Sequence, residues 1–336
     1  DSGLHSVGFA AGLTARASRT MPKRPRPSRW RKKADTVLLC LGLDEIKESE
    51  GLDRADMKLA DNQIELLQAV QQANPNTVVI VSAGASLETP WLAHCRALVY
   101  GALGGQAGAG AMVDVLTGKI NPSGKLAETW ANTHADTPAK DNFAGAGRTV
   151  QYREGLYVGY RYYQTAGVPV AFPFGYGLSY TSFAYSELKA DARSVTLTVT
   201  NTGSRAGAEI VQVYAAKPDA QIFHPAQELK AFTKVWLEAG ESKTVTLPLD
   251  DKTFRYWNTK TDSWEVEGGT YELRVGASSA DIRLTAAVEV NGTSAPNPYA
   301  GKALPSLHQR QGAARVPMPS GRPCWAAPSR RYTVKN

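Results

Sequence analysis

Thr36-Val-Leu-Leu-Cys-Leu-Gly-Leu43, followed at once by Asp44-Glu-Ile-Lys-Glu-Ser-Glu-Gly-Leu-Asp-Arg54, decides the fold of this chain. The first eight residues are almost continuously apolar, which is typical of a strand covered on both faces in a parallel sheet. Five of the next eleven residues are acidic. Loops at the carboxyl ends of such strands hold the ligands of open α/β sheets, which makes this acidic loop a candidate site. Most acidic loops are only solvated surface, so the rest of the chain must decide between the two interpretations.

The residues that follow continue an α/β pattern. Apolar residues at helical spacing predict a helix over residues 62–73, with Asp61 as its N-cap. Short apolar runs predict strands over residues 77–83 and 97–101, and a second helix is predicted over residues 108–116. Strand–helix units of this length favour a mostly parallel sheet, so residues 36–182 are predicted to form a partial α/β sandwich, truncated at its start.

Beyond residue 183 the apolar residues alternate with a period of two. About seven short strands are predicted in roughly 110 residues, with no helical segment. This pattern is typical of an immunoglobulin- or fibronectin-like β-sandwich, here over residues 183–292. A Gly- and Pro-rich aromatic segment, residues 172–180, is interpreted as a joint between the two domains.

Charge is divided unevenly along the 336 residues. Residues 1–35 and residues 293–336 each carry a net charge of +7, and the body between them carries −7. We interpret both ends as basic low-complexity tails, the first of them disordered. Their Arg-, Pro- and Ala-rich composition is also that of a GC-rich coding region read in the wrong frame. Basic tails on an acidic body argue against nucleic-acid binding, which stays an alternative of low weight.

Targeting and redox signals are few. No apolar run reaches the roughly 20 residues that span a bilayer, and we recognise no secretory signal peptide, so a cytoplasmic location is favoured and no membrane partner is expected. The cysteines, Cys40, Cys95 and Cys324, do not have the spacing of zinc ligands, and Cys40 is expected in the core.

Four groups of residues now carry a resemblance. Taken in order they are Glu48-Ser-Glu-Gly-Leu-Asp-Arg54, Gly104-Gly-Gln-Ala-Gly-Ala-Gly110 with Asp114-Val-Leu-Thr-Gly118, Asn121-Pro-Ser-Gly-Lys-Leu126, and Phe172-Pro-Phe-Gly-Tyr-Gly-Leu-Ser-Tyr180. Together they resemble the C-terminal half of the β-glucosidases of glycoside hydrolase family 3. That resemblance implies an α/β sandwich followed by a fibronectin type III-like domain, with a barrel domain preceding both in the family.

The resemblance also implies a site. By position, Glu50 resembles the family's general acid/base, with Glu48 as its rival, while Asp53 and Arg54 are interpreted as shaping the loop. The family's nucleophile is an aspartate of the barrel, in a Ser-Asp-Trp-like motif, and this chain contains no Ser-Asp pair. A retaining glycosidase needs both carboxyl groups, about 5 to 5.5 Å apart, so the chain alone is expected to be inactive on β-glucosides.

Other functions remain open at this point. A non-catalytic module that binds glycan or another chain is one alternative, and self-association or pairing with a separate barrel is another. The glycines of residues 104–110 do not follow the dinucleotide-binding spacing, and the five histidines are scattered singly, so no cofactor and no metal are expected. The aromatic run from Tyr152 to Tyr163 is interpreted as core between domains rather than as a sugar site.

Overall fold

The computed structural model describes residues 34–141, 143, 152 and 154–300. Within them the chain forms two compact units. The first comprises residues up to 120 together with 130–134, and the second comprises 121–129 and the residues from 135 onward. Residues 1–33 and 301–336, which hold most of the two basic tails and Cys324, lie outside the described residues. Residues 293–300, predicted as the start of the second tail, are described, and Thr293, Pro296 and Asn297 accept hydrogen bonds from the β-sandwich domain. The domain boundaries proposed from the sequence stay predictions.

The first unit contains a parallel sheet with helices, as the sequence predicts. Its strands are β1 (Val37–Gly42), β2 (Thr77–Ser82) and β3 (Ala97–Tyr100), in the order β1-β2-β3. Helix α1 (Asp61–Ala73) connects β1 to β2, helix α2 (Gly108–Leu116) follows β3, and a short strand β4 (Trp130–Ala131) completes the unit. A 3₁₀ turn, Leu92–His94, precedes β3 and another, His134–Asp136, follows β4.

Two local expectations are wrong. Strand β1 is not covered on both faces, since Leu38 and Cys40 are exposed while Leu41 is buried. Leu38 and Cys40 lie on the same face of the sheet, which is therefore not covered at β1. Asp61 is not the N-cap either, because that position is held by Ala60 without a side-chain hydrogen bond. Asp61 instead begins the first turn of α1, where a carboxylate faces the positive end of the helix dipole.

The edge strand β1 is closed at one point by a side chain. The Gly42 N–H donates to Gln63 Oε1 at 3.1 Å, and Gln63 Nε2 donates to the Gly42 carbonyl at 2.8 Å. Gln63 belongs to α1, so the helix supplies one pair of hydrogen bonds of the kind that a neighbouring strand would make.

The second unit is built on an antiparallel β-sandwich, as the alternating pattern predicts. It begins with helix α3 (Tyr160–Ala166) and strand β5 (Val170–Phe172). The next strands are β6 (Phe183–Ala190), β7 (Ser194–Asn201), β8 (Gly207–Ala216), β9 (Glu228–Leu237) and β10 (Ser242–Pro248). After them come β11 (Arg255–Asn258), β12 (Ser263–Val266), β13 (Gly269–Ser278) and β14 (Asp281–Val290).

Seven of these strands form the two sheets of the sandwich, in the orders β10-β7-β6 and β14-β13-β8-β9. Their inward side chains make one apolar core, in which Val195, Leu197 and Val199 of β7 alternate with outward threonines and Leu273 and Val275 of β13 are fully buried. Strands β11 and β12 form a separate two-stranded ribbon. The sequence prediction did not include this ribbon, because its tryptophans do not alternate with a buried apolar set.

Three segments that precede the sandwich pack on its strand β8 or on β9, and we call them the aromatic joint: residues 121–126, 160–163 and 172–180. Tyr160 stacks on Phe174 with ring centroids 4.8 Å apart, contacts the Tyr214 ring of β8 edge-on, and accepts a hydrogen bond from the Leu229 N–H at 2.7 Å. Tyr160 and Tyr163 are buried. These two tyrosines therefore belong to a packed interior. Tyr152, Leu156 and Val158 of the same run are exposed, so the interpretation of the whole run as core is wrong for these residues of its first part.

The sequence motifs of the joint are held by polar contacts. Asn121 Oδ1 accepts from Ser179 Oγ at 2.9 Å and from the Tyr180 N–H at 2.8 Å, while its Nδ2 donates to the Ala206 carbonyl at 3.0 Å. Lys125 Nζ donates to the Gly177 carbonyl at 2.9 Å and pairs with the buried Glu209 carboxylate of β8 at 3.1 Å. These motifs thus act in the fold, by holding the joint to β8.

Candidate functional site

The acidic loop begins with a turn that Asp44 organises. Its Oδ1 accepts hydrogen bonds from the N–H groups of Ile46 and Lys47 at 3.1 and 2.9 Å. Its carbonyl accepts from the N–H groups of Lys47 and Glu48, both at 3.0 Å. One of the five acidic residues is therefore used to fix the direction in which the chain leaves β1.

A salt bridge joins the two arms of the loop. Lys47 Nζ lies 3.0 Å from Asp56 Oδ1 and 3.1 Å from Oδ2. The hydrogen bond that the Lys58 N–H donates to Asp56, together with the ammonium of Lys47, holds the pKa of the Asp56 carboxyl below its usual range. The pair is about one-third exposed, so it contributes little energy and serves chiefly to set the shape of the loop.

Glu48 is committed to the neighbouring loop. Both of its carboxylate oxygens accept from the Gly84 N–H, at 2.8 and 3.0 Å. Gly84 follows β2, so this contact ties together the loops at the carboxyl ends of two adjacent parallel strands. A side chain at Gly84 would be crowded, because its Cβ would lie 3.2 Å from Glu48 Oε1 and 3.1 Å from Leu103 Cδ1.

Glu50 stands free. Its side chain is exposed and makes no hydrogen bond or ion pair with any residue that the structure describes. Gly51, directly after it, has φ +77°, a conformation that side-chain-bearing residues rarely adopt. Gly51 therefore allows the chain to turn directly after Glu50, whose side chain is exposed at that turn.

Asp53 and Arg54 are placed differently from each other. Asp53 is exposed, whereas Nε and Nη2 of Arg54 are buried without a hydrogen-bond partner among the described residues. No ion pair joins Asp53 to Arg54 within that part of the chain. The positive charge of Arg54 acts on Asp56 instead, where it makes a small contribution to the lowered pKa of that carboxyl. Their role in shaping the loop stays a prediction.

Of the three glutamates in the loop, Glu45 and Glu50 are exposed and Glu48 is held in place; Glu50 is the one that the family resemblance selects. A free carboxyl group can present its proton to a bound molecule, which a general acid must do. Glu48 has both oxygens engaged, so it is suited to fixing the loop. The described residues contain no group of His, Cys, Asp and Glu that could hold a metal ion, and no described helix is long and apolar enough to cross a membrane.

Comparison with known proteins identifies the family to which this architecture belongs. The family model described as the glycosyl hydrolase family 3 C-terminal domain matches residues 9–180, and the fibronectin type III-like domain model matches residues 209–279. The chain belongs to glycoside hydrolase family 3. The predicted family and the predicted order of its two domains are confirmed.

Curated relatives in the family are considerably longer than this chain. A thermostable β-glucosidase B from Acetivibrio thermocellus is 44% identical over 268 residues, which are 77% of this chain and 36% of that enzyme. An exo-α-(1→6)-L-arabinopyranosidase from Bifidobacterium breve is 45% identical over 273 residues, 80% of this chain and 36% of that enzyme. This chain therefore spans about a third of the length of the curated relatives it matches.

Solved structures agree with the sequence comparison. A family 3 β-glucosidase from Bifidobacterium adolescentis superposes with a TM-score of 0.76 at 44% identity, covering 82% of this chain and 41% of that one. A β-glucosidase from Kluyveromyces marxianus, solved in complex with glucose, superposes with a TM-score of 0.75 at 42% identity, covering 78% and 32%.

Sequence reasoning missed the contacts that support the loop, namely the Lys47–Asp56 salt bridge and the Glu48–Gly84 hydrogen bonds. A signal for the second was present. The acidic loop follows β1 and Gly84 follows β2, and parallel neighbours bring the ends of consecutive strands together. No comparable signal identifies the salt bridge, because many pairs of opposite charges lie nine residues apart.

Proposed function

We propose that this chain supplies the general acid/base, Glu50, to a retaining hydrolysis of β-glucosides. The observation that supports the assignment is the contrast between the two candidate glutamates. Glu48 spends both carboxylate oxygens on the Gly84 N–H, whereas Glu50 is exposed and makes no contact within the described residues. A proton donor needs an oxygen that a leaving group can reach.

The second carboxyl group of this mechanism is proposed to lie outside these 336 residues. A retaining enzyme needs a nucleophile about 5 to 5.5 Å from the acid/base, and the family carries it on a barrel domain. The curated relatives are nearly three times as long as the segment that this chain matches. We therefore expect that the isolated chain does not hydrolyse aryl β-glucosides faster than its Glu50→Ala variant.

The surface of the first unit is consistent with a missing neighbour. Helix α2 is rich in apolar residues and has none that is buried. Large apolar side chains are exposed on β1, on the acidic loop, after β3 and on or beyond α2: Leu38, Ile46, Leu52, Leu103, Val113 and Ile120. Exposed apolar groups of this kind mark contact surfaces, and we propose that the family's barrel domain covers part of them.

The decisive experiment is a chimera. This chain replaces the matching C-terminal part of the Acetivibrio thermocellus β-glucosidase B, and hydrolysis is measured for aryl β-glucosides whose leaving groups differ in pKa. For Glu50→Ala we expect a loss of about 10² to 10⁴ in rate with poor leaving groups, because the departing oxygen then receives no proton. The loss should nearly disappear with a dinitrophenyl glucoside, whose leaving group departs without protonation.

Glu48→Ala is the matched control. Since Glu48 positions the loop, its removal should lower the rate by less than Glu50→Ala does with poor leaving groups. The factor should be about the same for every leaving group. A dependence on leaving group in Glu48→Ala, and none in Glu50→Ala, would transfer the acid/base role to Glu48. If neither variant showed that dependence, the proposal would be wrong.

A further inference from the structure

Two tryptophans stand side by side on the ribbon of the β-sandwich domain. Trp257 of β11 and Trp264 of β12 are opposite each other in the antiparallel register. Their ring centroids are 5.4 Å apart and their planes are inclined by 79°. The side chains are nevertheless 46% and 58% exposed, so a large part of each indole is open to solvent.

The ribbon that carries this pair is firmly anchored. Asn258, next to Trp257, is fully buried, and its Nδ2 donates to the Pro296 carbonyl at 2.9 Å. Val266, two residues after Trp264, donates its N–H to Thr293 Oγ1 at 3.0 Å. The tryptophans therefore occupy a preformed arrangement, which reduces the entropy lost when a ligand is bound.

Stabilisation of the ribbon alone is the simpler explanation, because edge-to-face aromatic pairs across two strands contribute about 0.5 to 1.5 kcal/mol. Stabilisation of the ribbon, however, does not explain why both indoles remain about half exposed to solvent. Large aromatic side chains that are exposed together on a rigid element are characteristic of binding surfaces.

The size of the pair selects the class of ligand. Two half-exposed tryptophans offer on the order of 200 Å² of aromatic surface. A stable protein–protein contact buries about 800 Å² per partner, so the pair is too small to hold a folded protein by itself. A sugar ring is of the right size, and its C–H groups are attracted to the electron-rich face of an indole.

The surroundings provide polar groups for the hydroxyls of a sugar. The turn between the two strands carries four exposed polar side chains: Thr259, Lys260, Thr261 and Asp262. Lys260 Nζ already donates to the Asn297 carbonyl and Thr261 Oγ1 to Glu265, so a sugar would use their remaining capacity together with Thr259 and Asp262. Opposite charges are present in this turn, which therefore does not select an anionic or a cationic ligand. A neutral sugar chain with flat C–H faces and equatorial hydroxyls, as in β-linked glucans, fits both the rings and their rim.

We propose that Trp257 and Trp264 form a carbohydrate-binding surface for β-glucan chains on the fibronectin type III-like domain. It goes beyond the acid/base role of Glu50 and does not rest on it, because binding at this surface requires no cleavage. Its occupant is a neutral β-linked glucan chain, held by stacking on the indoles and by hydrogen bonds to the turn.

Affinity electrophoresis of the whole chain tests the proposal. Native gels are run with and without soluble hydroxyethylcellulose, and retardation at increasing polymer concentration gives an apparent Kd. We expect retardation of the wild type and at least a tenfold weaker apparent Kd for Trp257→Ala/Trp264→Ala. Trp236→Ala is the matched control, since Trp236 is 53% exposed on β9 of the same domain and should leave retardation unchanged.

Two further measurements make the result unambiguous. Trp264→Tyr keeps an aromatic face and should retain most of the binding, and circular dichroism establishes that each variant is folded. The proposal is overturned if the wild type is not retarded, if the double variant binds as well as the wild type, or if Trp236→Ala weakens binding equally. It is also overturned if light scattering reveals that the pair joins two copies of the chain and glucan does not compete.

Discussion

The acidic loop and the aromatic joint are both built from motifs of the same family, yet they differ in how completely their polar groups are satisfied. In the joint, Asn121 makes three hydrogen bonds and the Lys125 ammonium is shared between a carbonyl and a buried carboxylate. In the loop, Glu50 and Asp53 are exposed, and two nitrogens of Arg54 lack a partner among the described residues. The contrast distinguishes motif residues that stabilise the fold from motif residues that are available to bind another molecule or domain.

Removing Lys125 should have the largest effect on stability. Lys125→Met leaves the Glu209 carboxylate buried with the Ile210 N–H at 2.8 Å as a hydrogen-bond donor and with the more distant Arg283 guanidinium, 3.8 Å away, as its remaining charged partner. Loss of one partner of a buried pair costs about 3 to 5 kcal/mol, and we expect about 3 kcal/mol in urea unfolding. Lys119→Met, which removes an exposed pair with Asp114, should cost less than about 0.5 kcal/mol.

The double variant Lys125→Met/Glu209→Leu sharpens that result. Replacement of both charges by apolar groups removes the unpaired carboxylate, so it should recover a substantial part of the lost stability. If the double variant were as unstable as the sum of the two single variants, the buried pair would not be the cause.

Within the loop, the two glutamates should respond differently. Glu48→Ala removes the acceptor of the Gly84 N–H and should lower the free energy of unfolding by about 1 to 2 kcal/mol. Glu50→Ala should change it by less than about 0.5 kcal/mol, because that side chain supports no contact in the described residues. Equal losses in urea unfolding would contradict the division of roles between them.

The Lys47–Asp56 salt bridge is expected to have a small effect on stability that depends on pH. Because the pKa of Asp56 is lowered in the folded state, its contribution is complete above its unfolded pKa of about 3.9 and is lost as the pH falls through the folded value. Asp56→Asn should therefore lower stability by less than about 1 kcal/mol at pH 7. Unfolding curves of variant and wild type should converge as the pH falls below the lowered pKa of Asp56, and a difference that grew with acidity would have the wrong sign.

The parts that the sequence predicts well are those set by periodicity. The helix predicted over residues 62–73, which buries Leu67 and Val70, and the alternation of Val195, Leu197 and Val199 follow from which face must be buried. The exposure of Leu38 and Cys40 was not predictable, because it depends on whether another layer covers that face of the sheet and not on the composition of β1. The cross-strand Trp257–Trp264 pair was missed for a similar reason, since its register is fixed by the surrounding domain.

The candidate site, too, could be predicted from the sequence only in part. The position of Glu50 came from a resemblance, and its freedom from contacts is a property of the folded loop that no spacing rule contains. The distinction from Glu48 depends on Gly84, which lies 36 residues away in the chain. Contacts at such separation depend on strand order, which the local pattern leaves undetermined.

The amide of Gln63 also limits how the sheet can grow. It occupies both outward-facing hydrogen-bonding groups of Gly42, at the last residue of the edge strand. Any further strand, whether from a longer polypeptide or from a second molecule, must stop before Gly42 or displace that side chain. Extension of the sheet is thus halted before the acidic loop, which stays accessible while the rest of β1 is paired.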